Sequence, residues 1–433
     1  MITLLKHIKL FNKKLQGYSL FFALFIFVLI IILSSTLVLS AYYNNHFFNR
    51  IIFIDRLNTH AASAINILLV NPETVGYSEA KFLSLYGEYG DSVKLEKEQW
   101  GVFDLLTVTA FHKELQIKRS VMVGDYKYDT GNIALFIPDQ GKPISVTGNV
   151  NIKGNCLLPE SGFKQANIEG KTFTGSRITG EIEKSDHSLP DLNENIARLE
   201  VRYFLEKYIN NSNKVIFFES FRQDTLVTSF LDSTVVLYSS QTIRLDHLFL
   251  RGKIVVLSEQ QIQIANYADL NDIICVAPFI SVDRGFTGKL QLFASDSVHV
   301  GENCRLKYPS VLGISTSNQG VDQPATITIG GETVLNGLAF LYQKTAGANK
   351  QPILKLEKES IVKGQVYSNG YTEIKGNIYG ALYTSRFFLS TPSAIYENTL
   401  MDADIDMFKL SQNYVGADLI NEKTTGDVIK WVY

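Results

Sequence analysis

Seven charged and imidazole side chains in the second half of the sequence could support acid–base chemistry. They follow predicted strands between residues 246 and 299: Asp246, His247, Asp269, Asp272, Asp283, Arg284 and His299. Cleavage of a glycosidic bond needs two carboxylates, or carboxylates with a cation, that project from neighbouring strands on one face. Asp246 and Asp283 each follow the second strand of a predicted repeat, so they could share an edge, as in a polysaccharide lyase or hydrolase.

The same residues also match the ordinary exterior of a repetitive β protein, where charged side chains are mostly exposed. The sequence has no Ser-His-Asp order, metal-ligand cluster, phosphate-binding loop or dinucleotide-binding loop. Residues 402–406, "DADID", begin like a calcium loop, but Met407 stands where that loop needs glycine and Asn413 where it needs Glu. We therefore expect no enzymatic activity, no metal and no cofactor, and we interpret 402–406 as a solvated acidic turn.

Composition excludes further classes of protein. The chain has 41 basic and 43 acidic residues, and no basic block follows Lys14, so nucleic-acid binding has no electrostatic support. Cys156, Cys275 and Cys304 fit no zinc spacing, and their odd number leaves one unpaired. We expect them to be buried as small apolar residues, with a Cys275–Cys304 disulfide as the alternative.

The first secondary-structure element that the sequence predicts is a membrane-spanning helix. No charged residue occurs from Tyr18 to Ala41, and most positions are Leu, Ile, Phe or Val. A helix of about 24 residues is about 36 Å long, enough to cross a hydrocarbon core of about 30 Å. Lys13 and Lys14 end a basic leader, and Arg50 is the first cation beyond the apolar run. The asymmetry predicts a cytoplasmic N-terminus and an external C-terminal part.

The helical pattern continues beyond the apolar run. Apolar residues recur at spacings of three and four: Ile51, Ile54, Leu57, Ala61, Ala64, Ile65 and Leu68. This spacing predicts an amphipathic helix, and Pro72 is the first helix breaker. One helix is therefore expected over residues 18–70, preceded by a basic cytoplasmic leader at 1–17.

Residues 1–70 resemble the N-terminal region of type IV pilins and the related pseudopilins. Lys13, Lys14 and Gly17 are similar to the end of a prepilin leader, and Tyr18-Ser19-Leu20 to a mature start. The resemblance implies cleavage after Gly17 by a prepilin peptidase and packing of the helix against other pilin-like helices. Phe22 occupies mature position five, where major pilins have Glu. This departure favours a minor component, and an unprocessed membrane anchor remains the alternative.

In the middle of the chain, apolar and polar residues alternate with the period of β-strands. Residues 101–124 predict two or three strands, since Leu115-Gln116-Ile117-Lys118 alternates with period two. His112 lies alone in this strand region, which favours a structural or surface role over a ligand role. We expect residues 71–143 to form a small β-rich domain.

From residue 144 to about 400 the sequence repeats. Similar strand starts recur at Val235, Ile254, Ile273, Leu290 and Val311, and again at Leu338, Gln365 and Ala381. Each of the first four is followed by a second short strand, and the interval is about 20 residues, as in a β-helix coil. The sequence is thus mainly β. It predicts a parallel β-solenoid ectodomain over 144–400, with an antiparallel sandwich as the alternative and Ser368-Asn369-Gly370 as its best hairpin signal.

Two further segments complete the predicted organisation. Residues 188–211 have helical spacing at Leu192, Ile196, Leu199, Tyr203 and Leu205, which predicts an inserted helix. Residues 401–433 are interpreted as a C-terminal tail. The expected function is a single-pass protein of the bacterial cytoplasmic membrane, with the lipid bilayer and other envelope assembly proteins as partners and no nucleic acid. A membrane-anchored adhesin or scaffold is the alternative.

Overall fold

The computed structural model describes residues 2–432 except 88–89, 129–131, 176–177, 210–213, 318–322, 345–350 and 421–425, and it gives only the backbone of 2–17 and 126–127. The helices are α1 (Ile2–Val70), α2 (Glu194–Ala197) and α3 (Val201–Ile209), and short 3-10 turns occupy Pro72–Thr74, Phe218–Ser220 and Met407–Lys409. Residues Met1–Ser63, Ser84–Val93 and Thr109–Ile117 form one compact unit, called unit 1. The remaining residues, Ala64–Leu83, Lys94–Val108 and Lys118–Tyr433, form unit 2.

The chain is mainly β. Its strands are, in order, β1 (Ala80–Leu83), β2 (Ser92–Trp100), β3 (Phe103–His112), β4 (Leu115–Gly124), β5 (Tyr126–Lys127), β6 (Ile133–Phe136), β7 (Ile144–Thr147), β8 (Asn151–Lys153), β9 (Asn155–Leu158), β10 (Phe163–Gln165), β11 (Ile182–Lys184), β12 (Lys214–Phe217), β13 (Thr225–Thr228), β14 (Val235–Ser239), β15 (Ile243–Leu245), β16 (Phe249–Gly252) and β17 (Ile254–Ser258). They continue with β18 (Gln261–Ile264), β19 (Asp269–Val276), β20 (Phe279–Val282), β21 (Thr287–Ala294), β22 (Ser297–Val300), β23 (Arg305–Thr316), β24 (Thr326–Ile329), β25 (Val334–Gln343), β26 (Ile353–Leu356), β27 (Ile361–Ile374), β28 (Asn377–Ser390), β29 (Ile395–Glu397), β30 (Thr399–Met401), β31 (Asp404–Asp406), β32 (Val415–Gly416) and β33 (Asp427–Val432).

Helix α1 confirms the expected continuous helix and ends at Val70, just before Pro72. It begins at Ile2, so the backbone of the basic leader is helical as well. The apolar stripe of its second half is buried at Leu57, Ala61, Ala64, Ile65 and Leu68. Ile51 and Ile54, which the same spacing placed on that stripe, remain 46% and 38% exposed. Burial of the helix therefore begins one turn later than its pattern predicts.

The predicted strands of the middle segment are present as β3 and β4, and the alternation of residues 115–118 is visible as alternating exposure. These strands belong to a five-stranded sheet with the order β1-β2-β3-β4-β33. The last strand comes from the far end of the sequence and pairs antiparallel with β4, with Trp431 opposite Val121. The segment 401–433 thus contributes β33 to this sheet, β32 to a two-stranded antiparallel sheet with β5, and β31 to the parallel strands described next.

Most of unit 2 consists of three series of parallel strands, here called the parallel stack. The first series runs β12-β14-β17-β19-β21-β23-β25-β27-β28-β6-β9-β11. The second begins at β13 and ends with β31 and β8, and the third runs from β15 to the ends of β27 and β28. All these pairs are parallel, so the antiparallel sandwich is wrong for this part of the chain.

The register follows the predicted repeat closely. Val235 pairs with Ile254, Ile273 with Leu290, and the later starts Val311, Leu338, Gln365 and Ala381 pair in succession. One start is displaced by a residue, since Val311 lies opposite Gln291 and not Leu290. Alternation places Ile, Val and Leu inside, where they form one continuous core cluster with the thiols of Cys156, Cys275 and Cys304.

The three cysteines are free and buried, which confirms the expected apolar role and excludes the Cys275–Cys304 alternative. Burial raises the pKa of the Cys156 thiol to about 12 and that of the Cys275 thiol further. Both thiols are therefore neutral and unreactive at neutral pH.

Asn369 does not begin a hairpin. Residues 361–374 form one long strand, and Asn369 lies at a corner of it. The side-chain NH2 of Asn369 donates to the backbone carbonyl of Gln343 at 2.8 Å, and Asn369 Oδ1 accepts from the backbone N–H of Gln343 at 3.0 Å. The side chain thus replaces a backbone partner between adjacent coils, which explains why the Asn-Gly signal predicts the wrong connection.

One coil of the parallel stack is assembled from two distant parts of the sequence. Strand β6 pairs with β28 on one side and β9 on the other, and β31 lies between β28 and β8. The "DADID" segment is therefore a solvated turn only at its start: Asp402 is exposed in a bend with φ of 51°, whereas Asp404–Asp406 form strand β31. Asp406 is only 2% exposed, accepts from the Phe408 amide at 3.0 Å and lies 3.4 Å from the Lys153 ammonium.

The predicted helix over 188–211 is present as α2 and α3, separated by residues 198–200; positions 210 and 211 lie outside the described residues. Asn193 caps α2 by accepting from the Asn195 amide at 2.9 Å. Ile196, Leu199 and Phe204 are buried within a second core cluster that includes β strands of several successive coils. The segment thereby connects β11, at one end of the first series, with β12 at the other.

Candidate functional site

Residues 18–54 of α1 expose a long apolar surface, and this segment is called here the apolar helix. Residues 18–54 include more than twenty large hydrophobic side chains at 38–78% exposure, with Tyr18 at 78% and Phe22 at 65%. Residues 18–70 form the one helix in the described part of the chain that is long and apolar enough to cross a membrane. Lys13, Lys14 and Gly17 lie where only the helical backbone is described.

Two hydroxyl groups inside the apolar helix donate hydrogen bonds to the backbone of the helix itself. Ser34 Oγ donates to the Ile30 carbonyl at 2.7 Å, and Thr36 Oγ1 donates to the Leu33 carbonyl at 2.8 Å. Such back-bonding lets small polar residues reside in hydrocarbon without an unsatisfied donor. The sequence therefore combines an apolar exterior with internal hydrogen bonding, as a lipid-facing helix requires.

A buried ionic cluster fixes the next part of the helix within unit 1. Asp91 is 5% exposed and lies 2.7 Å from Arg56 Nε and 2.5 Å from His112 Nδ1, with His60 Nδ1 at 3.7 Å. His112 stacks on Phe53, with ring centroids 4.3 Å apart, and both histidines are less than 8% exposed. These contacts join residues 53–60 of α1 to the start of β2 and the end of β3.

The position of His112 agrees with a structural role. Its partners could not be identified from the sequence, because Arg56 and Asp91 are 56 and 21 residues away. An acidic residue before a predicted strand and a histidine at the end of the next one are common, so only the fold identifies this cluster.

The carboxylates considered for acid–base chemistry are engaged with cations or amides. Arg244 lies between Asp246 and Asp283, at 3.6 Å and 3.8 Å, so the predicted common edge exists but is bridged by a guanidinium. His247 Nδ1 contacts Asp246 at 2.8 Å. Asp272 lies apart from them, 8% exposed between the ammonium groups of Lys289 and Lys430 at 2.7 Å and 2.6 Å.

The remaining candidates are also separate from that edge. Asp269 accepts a hydrogen bond from the Asn271 side chain, and Arg284 lies 3.7 Å from Glu302. His299 occupies β22, opposite Ser281. Within the described residues, no group of three or more His, Cys, Asp or Glu side chains could hold a metal ion.

A second buried polar network lies within unit 2. Asp104 accepts from the Tyr77 hydroxyl at 2.8 Å and pairs with the Lys97 ammonium at 2.9 Å. Burial, reinforced by the negative charge of Asp104, raises the pKa of Asp125 to about 6 from its ordinary 3.8. Asp125 therefore keeps a proton in the folded state at pH values where the unfolded chain has lost it.

This difference predicts a pH-dependent stability that Asp125→Asn should remove. The contribution of Asp125 is complete below pH 3.8, falls as the pH rises, and is lost above about pH 6. The difference between the two pKa values corresponds to about 3 kcal/mol. In urea unfolding, the advantage of Asp125→Asn over the wild type should grow by up to that amount between pH 4 and pH 6 and then stay constant. An advantage that does not change with pH would contradict the assignment.

Comparisons with known proteins are sparse. No protein-family model matches the sequence, and no curated protein does. Among solved structures, the competence-associated pilin ComZ from Thermus thermophilus aligns over 82% of this chain and 86% of its own, with 11% identity and a TM-score of 0.21. A TM-score this low carries no argument about fold or function.

Proposed function

We propose that this chain is a non-enzymatic, membrane-anchored protein of the bacterial cell envelope, and a minor pilin-like component of a type IV pilus or type II secretion-like assembly. The observation that carries the proposal is α1, a single helix with apolar residues 18–54 exposed and its stripe from Leu57 onward buried. Exposed apolar patches of this size are rare on soluble proteins. A bilayer, and later the apolar helices of neighbouring subunits, would cover it.

The charges around the helix support one orientation. Lys13 and Lys14 precede the apolar run, and Arg50 is the first cation after it. By the positive-inside rule the leader is cytoplasmic and residues after the span are external. Tyr42 and Tyr43, at 67% and 61% exposure, occupy the positions of interfacial aromatics.

The external part would then be a parallel β-helix. Three parallel strand series in nearly constant register support this architecture. Their repeat interval of about 20 residues is that of a β-helix coil. A solenoid of this kind presents a long, rigid surface. We propose that it caps the fibre or displays a binding surface, while α1 provides the assembly contacts.

Phe22 fits a minor component better than a major subunit. It occupies mature position five if Tyr18 is the first residue of the processed chain. A glutamate there would place a carboxylate in hydrocarbon, which costs several kcal/mol unless a partner neutralises it. Phenylalanine avoids this cost and leaves the helix uniformly apolar.

The proposal assigns no catalytic role to the carboxylates of the parallel stack. The guanidinium of Arg244 beside Asp246 and Asp283, and the two ammonium groups beside Asp272, support this interpretation. Cleavage of a polysaccharide by the purified protein, lost in Asp283→Ala, would contradict it.

The N-terminus of the protein from its native host tests the processing step. We expect sequencing and intact mass to show Tyr18 as the first residue, and Gly17→Arg to leave the leader attached, because a bulky cation replaces the residue before the cleaved bond. Asn12→Arg is the matched control, since it adds the same charge to the leader away from that bond. The Asn12→Arg protein should be processed normally and should be recovered in the fraction of fibres sheared from the cell surface.

A wild-type protein that keeps Met1 and stays in the membrane fraction would contradict the pilin-like function. It would favour the alternative, an unprocessed membrane-anchored adhesin or scaffold. A protein absent from the membrane fraction and from the fibres would contradict both.

A further inference from the structure

An open groove of about 580 Å³ lies within unit 1, beside the C-terminal end of the apolar helix. One wall is formed by α1 through His46, Asn49, Arg50 and Phe53, and the other by the β3–β4 turn through His112, Lys113, Glu114 and Leu115. Lys113 adopts a left-handed conformation with φ of 53° at the tip of this turn, which directs the hairpin sharply back. The groove is thus formed by two elements that the Asp91 cluster holds together.

The groove carries unbalanced positive charge. Arg50 and Lys113 contribute two cations, and Glu114 contributes one acid. Both cations are exposed, and within the part of the chain that the structure describes neither has an ion-pair partner. The His46 imidazole and the Asn49 amide add hydrogen-bonding groups, while Phe53 and Leu115 provide an apolar wall. This combination suits a ligand with a phosphate and an attached apolar part.

The position along the helix indicates where that ligand is. No Asp, Glu, Lys or Arg occurs from Tyr18 to Asn49. This stretch of about 32 residues corresponds to about 48 Å of helix. A bilayer with its headgroup layers is about 40–45 Å thick. Arg50 therefore lies at the outer headgroup boundary, and the neighbouring side chains of Phe47, Phe48 and Ile52 are more than 60% exposed, as expected of a segment that still contacts lipid.

We propose that this groove binds the phosphate headgroup of an acidic phospholipid in the outer leaflet of the membrane that α1 spans. Arg50 and Lys113 pair with the phosphate, and the Asn49 amide donates to the headgroup. Phe47 and Phe48, which precede Arg50 on the side of the apolar run, contact the start of the acyl chains, while Phe53 and Leu115 close the outer end of the groove. The lipid would hold unit 1 against the membrane surface before assembly. This inference rests on the membrane-anchored part of the proposed function.

Lipid selectivity of the full-length protein tests the proposal. The purified chain is equilibrated with mixed micelles of equal phosphatidylglycerol and phosphatidylcholine, and the retained lipid is quantified by mass spectrometry. We expect phosphatidylglycerol to be enriched and the enrichment to fall about fivefold for each cation removed in Arg50→Gln and Lys113→Gln. The control Lys142→Gln/Lys164→Gln removes two exposed cations outside the groove and should leave the enrichment unchanged.

Three outcomes would overturn the inference. They are equal retention of both lipids by the wild type, the same loss in the control variant, and displacement of the lipid by millimolar inorganic phosphate, which would indicate a site for free phosphate. Thermal unfolding of each variant establishes that the fold is intact. Membrane fractionation distinguishes failure of this inference from failure of the proposed membrane anchoring. A chain that remains in the membrane fraction but shows no lipid selectivity contradicts only lipid binding in the groove.

Discussion

Gly364→Val is expected to destabilise the parallel stack severely. Gly364 has a φ of 144°, and a Cβ added there would lie 1.9 Å from the Gly337 carbonyl oxygen and 2.5 Å from the Tyr414 hydroxyl. It would also displace Tyr414, whose hydroxyl donates to that same carbonyl at 3.0 Å. Backbone strain and overpacking together should lower the free energy of unfolding by about 4 kcal/mol.

The same close approach recurs at the next coil, which leaves little room for the backbone to shift. Gly337, Gly364 and Gly380 pair with one another in register, and an added Cβ at Gly380 would likewise lie 1.9 Å from the Gly364 carbonyl oxygen. Strands from three successive coils therefore approach one another without side chains at this corner. A shift that relieves one contact would tighten the next.

Gly162→Val is the matched control for this prediction. Gly162 also has a positive φ, 58°, but an added Cβ there would have no atom within 4 Å. It should show only the backbone strain, of order 1–3 kcal/mol. Urea or thermal unfolding of both variants gives the comparison. Equal losses of stability would mean that backbone strain alone, and not the close approach of coils, requires glycine at position 364.

The parallel stack shows how far the sequence could predict this fold. The recurrence of similar apolar strand starts is a local pattern, and it correctly predicts stacked strands and most of their register. Strand alternation and helical spacing are also local, so α1, β3 and β4 were predictable. The intervals between Val235 and Ala381 were informative because each coil repeats the same physical requirement.

Contacts between distant segments were not predictable. Nothing in "NIALF" indicates that β6 completes a coil with β31, because any strand with alternating apolar residues could take that place. Asp406 illustrates the consequence: its acidic neighbours suggest a solvated turn, but the Lys153 ammonium, from a strand 253 residues earlier, becomes its partner only when that coil forms. The Asp91 cluster was hidden for the same reason.

Asp91→Ala is expected to have the largest effect within unit 1. The substitution removes the carboxylate that pairs with Arg56 Nε at 2.7 Å and with His112 Nδ1 at 2.5 Å. Arg56 would then lose this counter-charge in a partly buried site beside His112. Breaking a buried ion pair by removing one partner typically costs about 3–5 kcal/mol. We expect a loss of this size in urea unfolding and faster proteolysis of the segment after Asn49.

Two further variants separate the ion pair from a general effect of charge. Asp55→Ala removes an exposed acid from the same helix and should change the unfolding free energy by less than about 0.5 kcal/mol. Arg56→Met in the Asp91→Ala background removes the cation that Asp91 neutralises in the wild type and should recover part of the loss, since an apolar replacement of a whole buried pair is often tolerated. If the double variant were as unstable as the sum of the single ones, the two side chains would act independently. The cluster would then not be what holds α1 to unit 1, and the groove formed by Arg50 and Lys113 would need another source of its geometry.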